Sequence, residues 1–316
     1  MKKKQVVILI ILILVGASAL FMSYDTGANL DYVLSRRAIR LATMLVVGIS
    51  VAYSSLIFQT ITNNKILTPS MMGYESIFIL FQTVIVFLYG DKTFTVISQE
   101  INFFFAVILM MLFSVFIYVL IFGKEKKNIF NLLLLGMVLG TLFHTMSHFM
   151  QVIIDPNQFS IVQSFMFVSF SKMNTKLLLI ASIVLLASLI YVHRYLRYLD
   201  VIALGREHAI NLGIDYNGLI RKFLLVIALL VSVSTALVGP ITFLGILVTN
   251  LTYEVYHTYR HRQMVWVCSA IACVFLVLGQ FFVEHVFSFS TTVSIIINFI
   301  GGVYFLYLIL KTQKRL

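Results

Sequence analysis

Charge is scarce in this chain. Only 11% of its 316 residues are Asp, Glu, Lys or Arg, against about 25% in an average soluble domain. So few charges cannot cover a water-facing surface of this size. Proline is nearly absent at 3 and glycine numbers 16, which excludes collagen-like and low-complexity classes. The two cysteines, Cys268 and Cys273, are too few for a disulfide framework. Five apart in one apolar run, they point about 140° away from each other on a helix, and read as two small buried hydrophobes. Catalytic signatures are missing as well. There is no G-x-x-x-x-G-K-[ST] phosphate loop, no H-E-x-x-H, no G-x-S-x-G and no C-x-x-C. If this chain moves a solute actively, another chain or an ion gradient supplies the energy.

What is present is apolar length. Hydrophobic residues make up 60% of the chain and the mean hydropathy is +1.01. The apolar runs are continuous rather than alternating, which excludes a β-barrel. They are about twenty residues long, the helix length that crosses a hydrocarbon core of roughly 30 Å. Helices are then the remaining spanning solution, because lipid offers no partner for unpaired backbone groups. Ten runs are expected to span: 6–24, 38–58, 68–89, 101–122, 129–151, 176–193, 219–238, 241–256, 264–283 and 294–310. The first run, with Lys2, Lys3 and Lys4 before it and Ala17-Ser18-Ala19 near its end, resembles a signal peptide. It continues through Phe21 and Met22 and is read as an uncleaved span. The whole chain, 1–316, is one transmembrane domain.

The net charge of +11 is distributed by side. Lys2–Lys4, Lys65, Lys124, Lys126, Lys127, Arg194, Arg197, Arg206, Arg221, Lys222, Arg260, Arg262, Lys311, Lys314 and Arg315 fall on one side. Arg36, Arg37, Arg40, Lys92, Lys172 and Lys176 fall on the other. Of 23 basic residues that is 17 against 6. The asymmetry puts both termini in the cytoplasm by the positive-inside rule. Basic clusters between apolar runs meet lipid headgroups, so no nucleic-acid partner is expected.

Four features stand out from the spans. The outer stretch 152–175 carries Asp155-Pro156-Asn157, a turn signal. The cytoplasmic stretch 199–217 reads as two short helices, 201–209 and 212–216, broken at Gly205 and Gly213. A structured cytoplasmic loop implies a docking role, with a solvated connector as the alternative. His144 and His148 share one helix face, a spacing that binds metal, but no third ligand is evident nearby. They are weak metal candidates in a divalent-cation permease, or else two amphipathic side chains near a span end. Glu75 and Glu254 interrupt apolar runs. Pro69 beside one, and His257 and Arg260 beside the other, suggest the cytoplasmic interface. The alternative is a pair of relays in an ion-coupled carrier. Arg36, Arg37 and Arg40 run against the charge asymmetry and are either flanking charges or an outward patch for an acidic partner.

Several stretches, in order, resemble the FecCD-type permeases of ABC importers for siderophores, haem and cobalamin. Arg37-Ala38-Ile39-Arg40 is similar to R-x-P-R. Gln59 to Gly73, through Asn63-Asn64 and Thr68-Pro69, is similar to Q-x-x-x-x-N-P-L-A-x-P-x-x-L-G. Leu204-Gly205-Arg206-Glu207-His208-Ala209 with Leu212-Gly213 is similar to L-G-x-x-x-A-x-x-L-G. Gly239-Pro240-Ile241-Thr242-Phe243-Leu244-Gly245 is similar to G-P-I-x-F-x-G. Ile39, Lys65 and Thr249-Asn250 depart from the pattern, as in a divergent half of a heterodimeric permease.

The resemblance implies an all-α, ten-span type II importer permease that translocates ferric chelates. It implies a second permease subunit, a cytoplasmic ATPase dimer and an extracytoplasmic siderophore-binding protein as partners, with ATP bound by the ATPase and no cofactor on this chain. It assigns the loop 199–217 (Leu204, Gly205, Arg206, Glu207, His208, Ala209, Leu212, Gly213) to ATPase coupling. It assigns Arg36, Arg37 and Arg40 to binding-protein docking. Gln59, Asn63, Asn64, Pro69, Gly73, Gly239, Pro240, Phe243 and Gly245 are assigned to the translocation path. A divalent-metal, haem or cobalamin ABC permease, an ion-coupled secondary carrier and a non-transport scaffold are the alternatives.

Overall fold

The computed structural model describes residues 3–24, 30–122, 129–171 and 173–313. Lys2, Lys124, Lys126, Lys127, Lys172, Lys314 and Arg315, which enter the charge asymmetry, lie outside the described residues. Fourteen α-helices and two short 3-10 turns follow in order: α1 Lys3–Ser23, α2 Leu30–Thr62, the turn Pro69–Met72, α3 Tyr74–Tyr89, the turn Gly90–Lys92, α4 Thr93–Val96, α5 Gln99–Phe122, α6 Ile129–Ile153, α7 Pro156–Met166, α8 Thr175–His193, α9 Leu196–Ile202, α10 Arg206–Asn211, α11 Tyr216–Val238, α12 Leu244–Val255, α13 His261–His285 and α14 Val293–Gln313. No strand occurs among the described residues.

Every expected span coincides with a helix. Among the described residues eight helices are long and apolar enough to cross a membrane, α1, α2, α3, α5, α6, α8, α11 and α13, while the tenth expected run gives a shorter apolar helix, Val293–Tyr307. This is a multi-pass membrane protein. The eighth expected run differs. Helix α12 has 12 residues, so it rises only about 18 Å and reaches partway through the core. Its start is delayed because Gly239 and Pro240 end α11 and the chain turns before re-entering helix. Helix α2 is longer than its run. Its 33 residues extend about 50 Å and carry Arg36, Arg37 and Arg40 inside the helix.

Helices α2, α11 and α13 are the most buried and form the centre, with α2 packed against both of the others. Gly48 lets α2 and α13 lie close together: a Cβ there would lie 3.2 Å from the Cys273 backbone nitrogen. Cys268 and Cys273 are buried and free. Around this centre α1, α5, α6, α8 and α14 turn large apolar side chains outward, among them Leu12, Phe105, Leu142, Ile190 and Phe299. Lipid solvates such a surface without cost. The outer turn signal is a helix start: Asp155 caps α7, its Oδ1 accepting from Asn157 N at 2.8 Å, with Pro156 in the first position.

Candidate translocation path and docking segments

Two helix breaks meet inside the bundle. The first follows α2. Asn63 takes a left-handed conformation (φ 49°), while Asn63 N donates to Thr60 O and Asn64 N to Gln59 O at 3.2 and 3.1 Å. This double bond ends a helix cleanly. Asn64 Oδ1 then accepts from Ile66 N. Asn63 and Asn64 are exposed and form the turn out of α2. The chain re-enters at Pro69, makes one 3-10 turn and reaches Gly73 at φ 86°. A Cβ on Gly73 would sit 2.9 Å from Gly140 Cα and 3.0 Å from Gly136 O. Three glycines thus let this turn lie directly on α6.

The second break is Gly239–Phe243. Gly239 has φ 101°, and a Cβ there would lie 3.1 Å from Phe167 O. Ser169 N donates to Val238 O at 3.0 Å, so the outer connection after α7 reaches down to this break. Thr242 Oγ1 donates to Glu75 Oε2 at 2.7 Å, joining the two breaks through a carboxylate at the start of α3. Gly245 faces the Ser55 and Thr68 side chains, and Asn250 Nδ2 donates to Lys65 O at 2.9 Å. Phe243 packs on Gly301 of α14, where a Cβ would come within 2.7 Å of its own. Glu75, in the first turn of α3, is therefore packed inside the bundle and joined to the other break. Glu254 is exposed at the end of α12, where Tyr304 OH donates to it at 3.3 Å.

Cavities lie on both sides of Gly239. A small chamber of about 20 Å³ is lined by Ser54, Ser55, Ser70, Glu75, Thr235 and Gly239, room for about one water. An open cavity of about 1050 Å³ lies toward the α7 side, with Gln82, Asn102, Gln163, Asn174 and Gln280 on its walls and Gly239 also among its lining residues. Gln82 and Asn102 exchange two hydrogen bonds at 3.2 Å. The sequence reading passed over both residues. The available signal was an amide within each of two apolar runs, where polar groups are costly. Gln59 is 2% exposed, and neither its Oε1 nor its Nε2 has a partner. Buried Thr68 Oγ1 is unpartnered as well. Such groups cost roughly 1–3 kcal/mol each, and a fold retains them where they serve something other than stability.

In the loop 199–217, Gly205 (φ 102°) and Gly213 (φ 78°) are breaks as expected. They flank one short helix, α10, and the expected helix 212–216 is instead a turn that leads to Asp215, the cap of α11, which begins at Tyr216. Asp215 Oδ1 accepts from Gly218 N there at 3.0 Å. Ala209 is fully buried, so Gly205, Ala209 and Gly213 do not form one outward face of small residues. What faces outward is Leu204 (60% exposed), Ile210 (50%) and Leu212 (64%), with Glu207 and His208 also exposed. Arg206 lies over the Tyr216 ring at 5.9 Å. Ile210 on α10 and Leu204 and Leu212 at its two ends, with Leu196, Leu199 and Ile202 of α9 in the core beneath, make an apolar knob with a polar rim.

The model of the FecCD transport family matches residues 5–311. The chain belongs to the FecCD transport family. It is 50% identical over 314 residues to the petrobactin import system permease protein YclO of Bacillus subtilis, covering 99% of each chain. It is 32% identical to the corresponding protein FatC of Bacillus anthracis, covering 97% of this chain and 89% of that one. In both organisms a second petrobactin import permease, YclN and FatD respectively, matches as well. Among solved structures, an inward-facing metal-chelate type ABC transporter superposes with a TM-score of 0.86 at 19% identity, over 98% of this chain and 100% of that one, so the two chains share a fold.

Within this FecCD chain the basic trio is divided. Arg37 is buried, its Nη1 donating to Phe21 O, Met22 O and Tyr24 O at 3.1, 3.3 and 2.5 Å. It caps the end of α1, whose last carbonyls have no partner inside their own helix. Arg40 Nη1 pairs with Glu284 Oε1 at 2.9 Å. Arg36 alone of the three is exposed, its guanidinium 4.9 Å from the Tyr32 ring centroid. Arg37 and Arg40, which the resemblance assigns to docking, thus have partners within the chain.

His144 and His148 are exposed on α6, ring centroids 5.8 Å apart. Among the described residues no group of three or more His, Cys, Asp or Glu side chains could hold a metal ion. With Thr141 and Thr145 the histidines occupy an arc of roughly 100°, while Val138, Leu142, Met146, Phe149 and Ile153 lie on the helix's other exposed flank.

Proposed function

We propose that this FecCD chain is the membrane-spanning permease subunit of an ATP-driven importer that moves iron–siderophore complexes across the cytoplasmic membrane. Both termini are cytoplasmic. The observation that carries this reading is the end-to-end match, at 50% identity, to a petrobactin import permease. The geometry supports it. Two helix breaks joined by Glu75 and Thr242 give a bundle that can open without unwinding a full span. The polar flank of α6 (Thr141, His144, Thr145, His148) is ill suited to lipid and suits a water-filled seam shared with a second permease. The paired permeases of the relatives favour a heterodimer. The knob of Leu204, Ile210 and Leu212 takes a groove on a cytoplasmic ATPase dimer that binds the ATP. Arg36 faces an extracytoplasmic siderophore-binding protein.

The test is uptake of radio-iron. Cells lacking their own ferric-chelate importers, supplied with this chain, its companion permease, ATPase and binding protein, should accumulate iron from ferric petrobactin. Accumulation should stop when the ATPase phosphate-loop lysine is replaced. Uptake that persists without a working ATPase would overturn the ATP-driven mechanism, and a system that imports no siderophore would overturn the substrate class.

A further inference from the structure

Beneath the bundle three distant side chains meet. Asp200 lies on α9, His261 opens α13, and Thr60 is in the last turn of α2. Asp200 Oδ1 accepts from His261 N at 2.8 Å and meets His261 Nδ1 at 2.6 Å. On the opposite side of the ring His261 Nε2 is 3.0 Å from Thr60 Oγ1. His261 and Thr60 are each 6% exposed. Arg260, at the cap position of α13, makes no side-chain cap bond. A carboxylate from α9 therefore supplies the acceptor that the first turn of α13 needs, at the end where the helix dipole favours negative charge.

The proton arrangement is constrained. Asp200 as a carboxylate only accepts, so His261 Nδ1 carries a hydrogen. Thr60 Oγ1 is also 2.8 Å from Leu56 O and has one hydrogen to give. If it donates to Leu56 O, Nε2 donates to Thr60 and His261 is a cation. If it turns to Nε2, His261 is neutral. Either way the ring remains tied at both nitrogens by rotation of one hydroxyl.

The placement matters because of what each end holds. Helix α9 is seated in the core through Leu196, Leu199 and Ile202 and leads through Gly205 into α10 with its exposed knob. Helices α2 and α13 are central, and each flanks a break or carries close packing into the outer half. A displacement of the knob by a docked partner moves α9, and the Asp200–His261–Thr60 chain is a polar tether from α9 to both central helices at once. Apolar contacts at the same place slide. A directional, charge-assisted bond does not slide without breaking. We propose that Asp200, His261 and Thr60 are positioning residues that transmit movement of the 196–213 segment to α2 and α13. The inference rests on the proposed ATP-driven import.

The experiment reconstitutes the full transporter with the ATPase and measures assembled complex, ATP hydrolysis and ferric-chelate uptake separately. His261→Leu and Asp200→Leu should leave ATPase co-purification intact and cut uptake per ATP hydrolysed by roughly tenfold, the factor for losing one charge-assisted hydrogen bond. Thr60→Val, which leaves the Asp200–His261 contact in place, should lower the ratio by a smaller factor without loss of protein. Asp200→Asn retains an acceptor oxygen but not the charge and should give a ratio between those of the wild type and the leucine variants. If the leucine variants assemble poorly, Thr60→Val alone decides. A wild-type ratio in all variants that assemble overturns the tether and leaves the import reading standing. A wild-type transporter whose uptake needs no ATPase overturns the import mechanism and the tether with it.

Discussion

Arg37 offers the sharpest separation between an internal and a docking role. Its Nη1 carries two hydrogens and faces three carbonyls at the end of α1, so one hydrogen is shared. Replacing it by Leu keeps bulk and removes the bonds. The carbonyls at the end of α1 then lose their donor and one cation leaves the favourable end of the α1 dipole. One charge-assisted bond contributes about 1.5–3 kcal/mol and each stranded acceptor costs about 1–3 kcal/mol, counted once between them, which gives a loss of about 3 kcal/mol. By the scaling of domains of 150–250 residues that corresponds to a fall in Tm of roughly 6–12 °C. The assay is thermal unfolding of the detergent-solubilised chain followed by size-exclusion chromatography, with Arg36→Ala and Arg37→Lys alongside. Arg36→Ala should unfold with the wild type, because its side chain is exposed. Arg37→Lys should recover part of the loss, since an ammonium reaches fewer carbonyls in fixed geometry. Arg37→Leu that keeps the wild-type Tm while weakening only binding-protein association would refute the capping argument and restore the docking role.

Ala209→Trp should lose folded protein by overpacking a fully buried site, about 1–3 kcal/mol, whereas Leu212→Glu should leave protein levels unchanged and abolish ATPase co-purification. Both would be read by pull-down normalised to membrane content. Gly73→Val should reduce assembled protein severely, since it adds a β-branched side chain at φ 86° where even a Cβ meets Gly140 Cα at 2.9 Å; intact expression and Tm would refute the close packing. Gln59→Leu removes an unpartnered buried amide and should raise stability by about 1 kcal/mol while lowering uptake; unchanged uptake would remove Gln59 from the path. Cysteines introduced at Gln158 and Asn217, in a background lacking Cys268 and Cys273, should react with an impermeant thiol reagent from opposite sides of the membrane.

What the sequence alone determined is local. Ten apolar runs became helices because lipid leaves no other way to satisfy the backbone. The breaks at Gly205, Gly213 and Gly239-Pro240 were legible because positive φ and a missing N–H are properties of single residues. Tertiary structure decided which way each side chain turned and what it met. Ala209 faces inward and Leu212 outward because α9 and α11 take up one side of α10. Arg37 became a cap because α1 ends beside it. Glu75 accepts from Thr242 across 167 residues, at the start of a helix whose preceding glycine turn lies on α6. His261 meets Asp200 across 61 residues and Thr60 across 201. No periodicity in the chain encodes such pairings, because they follow from which helix faces pack together and not from the order in which the residues were written.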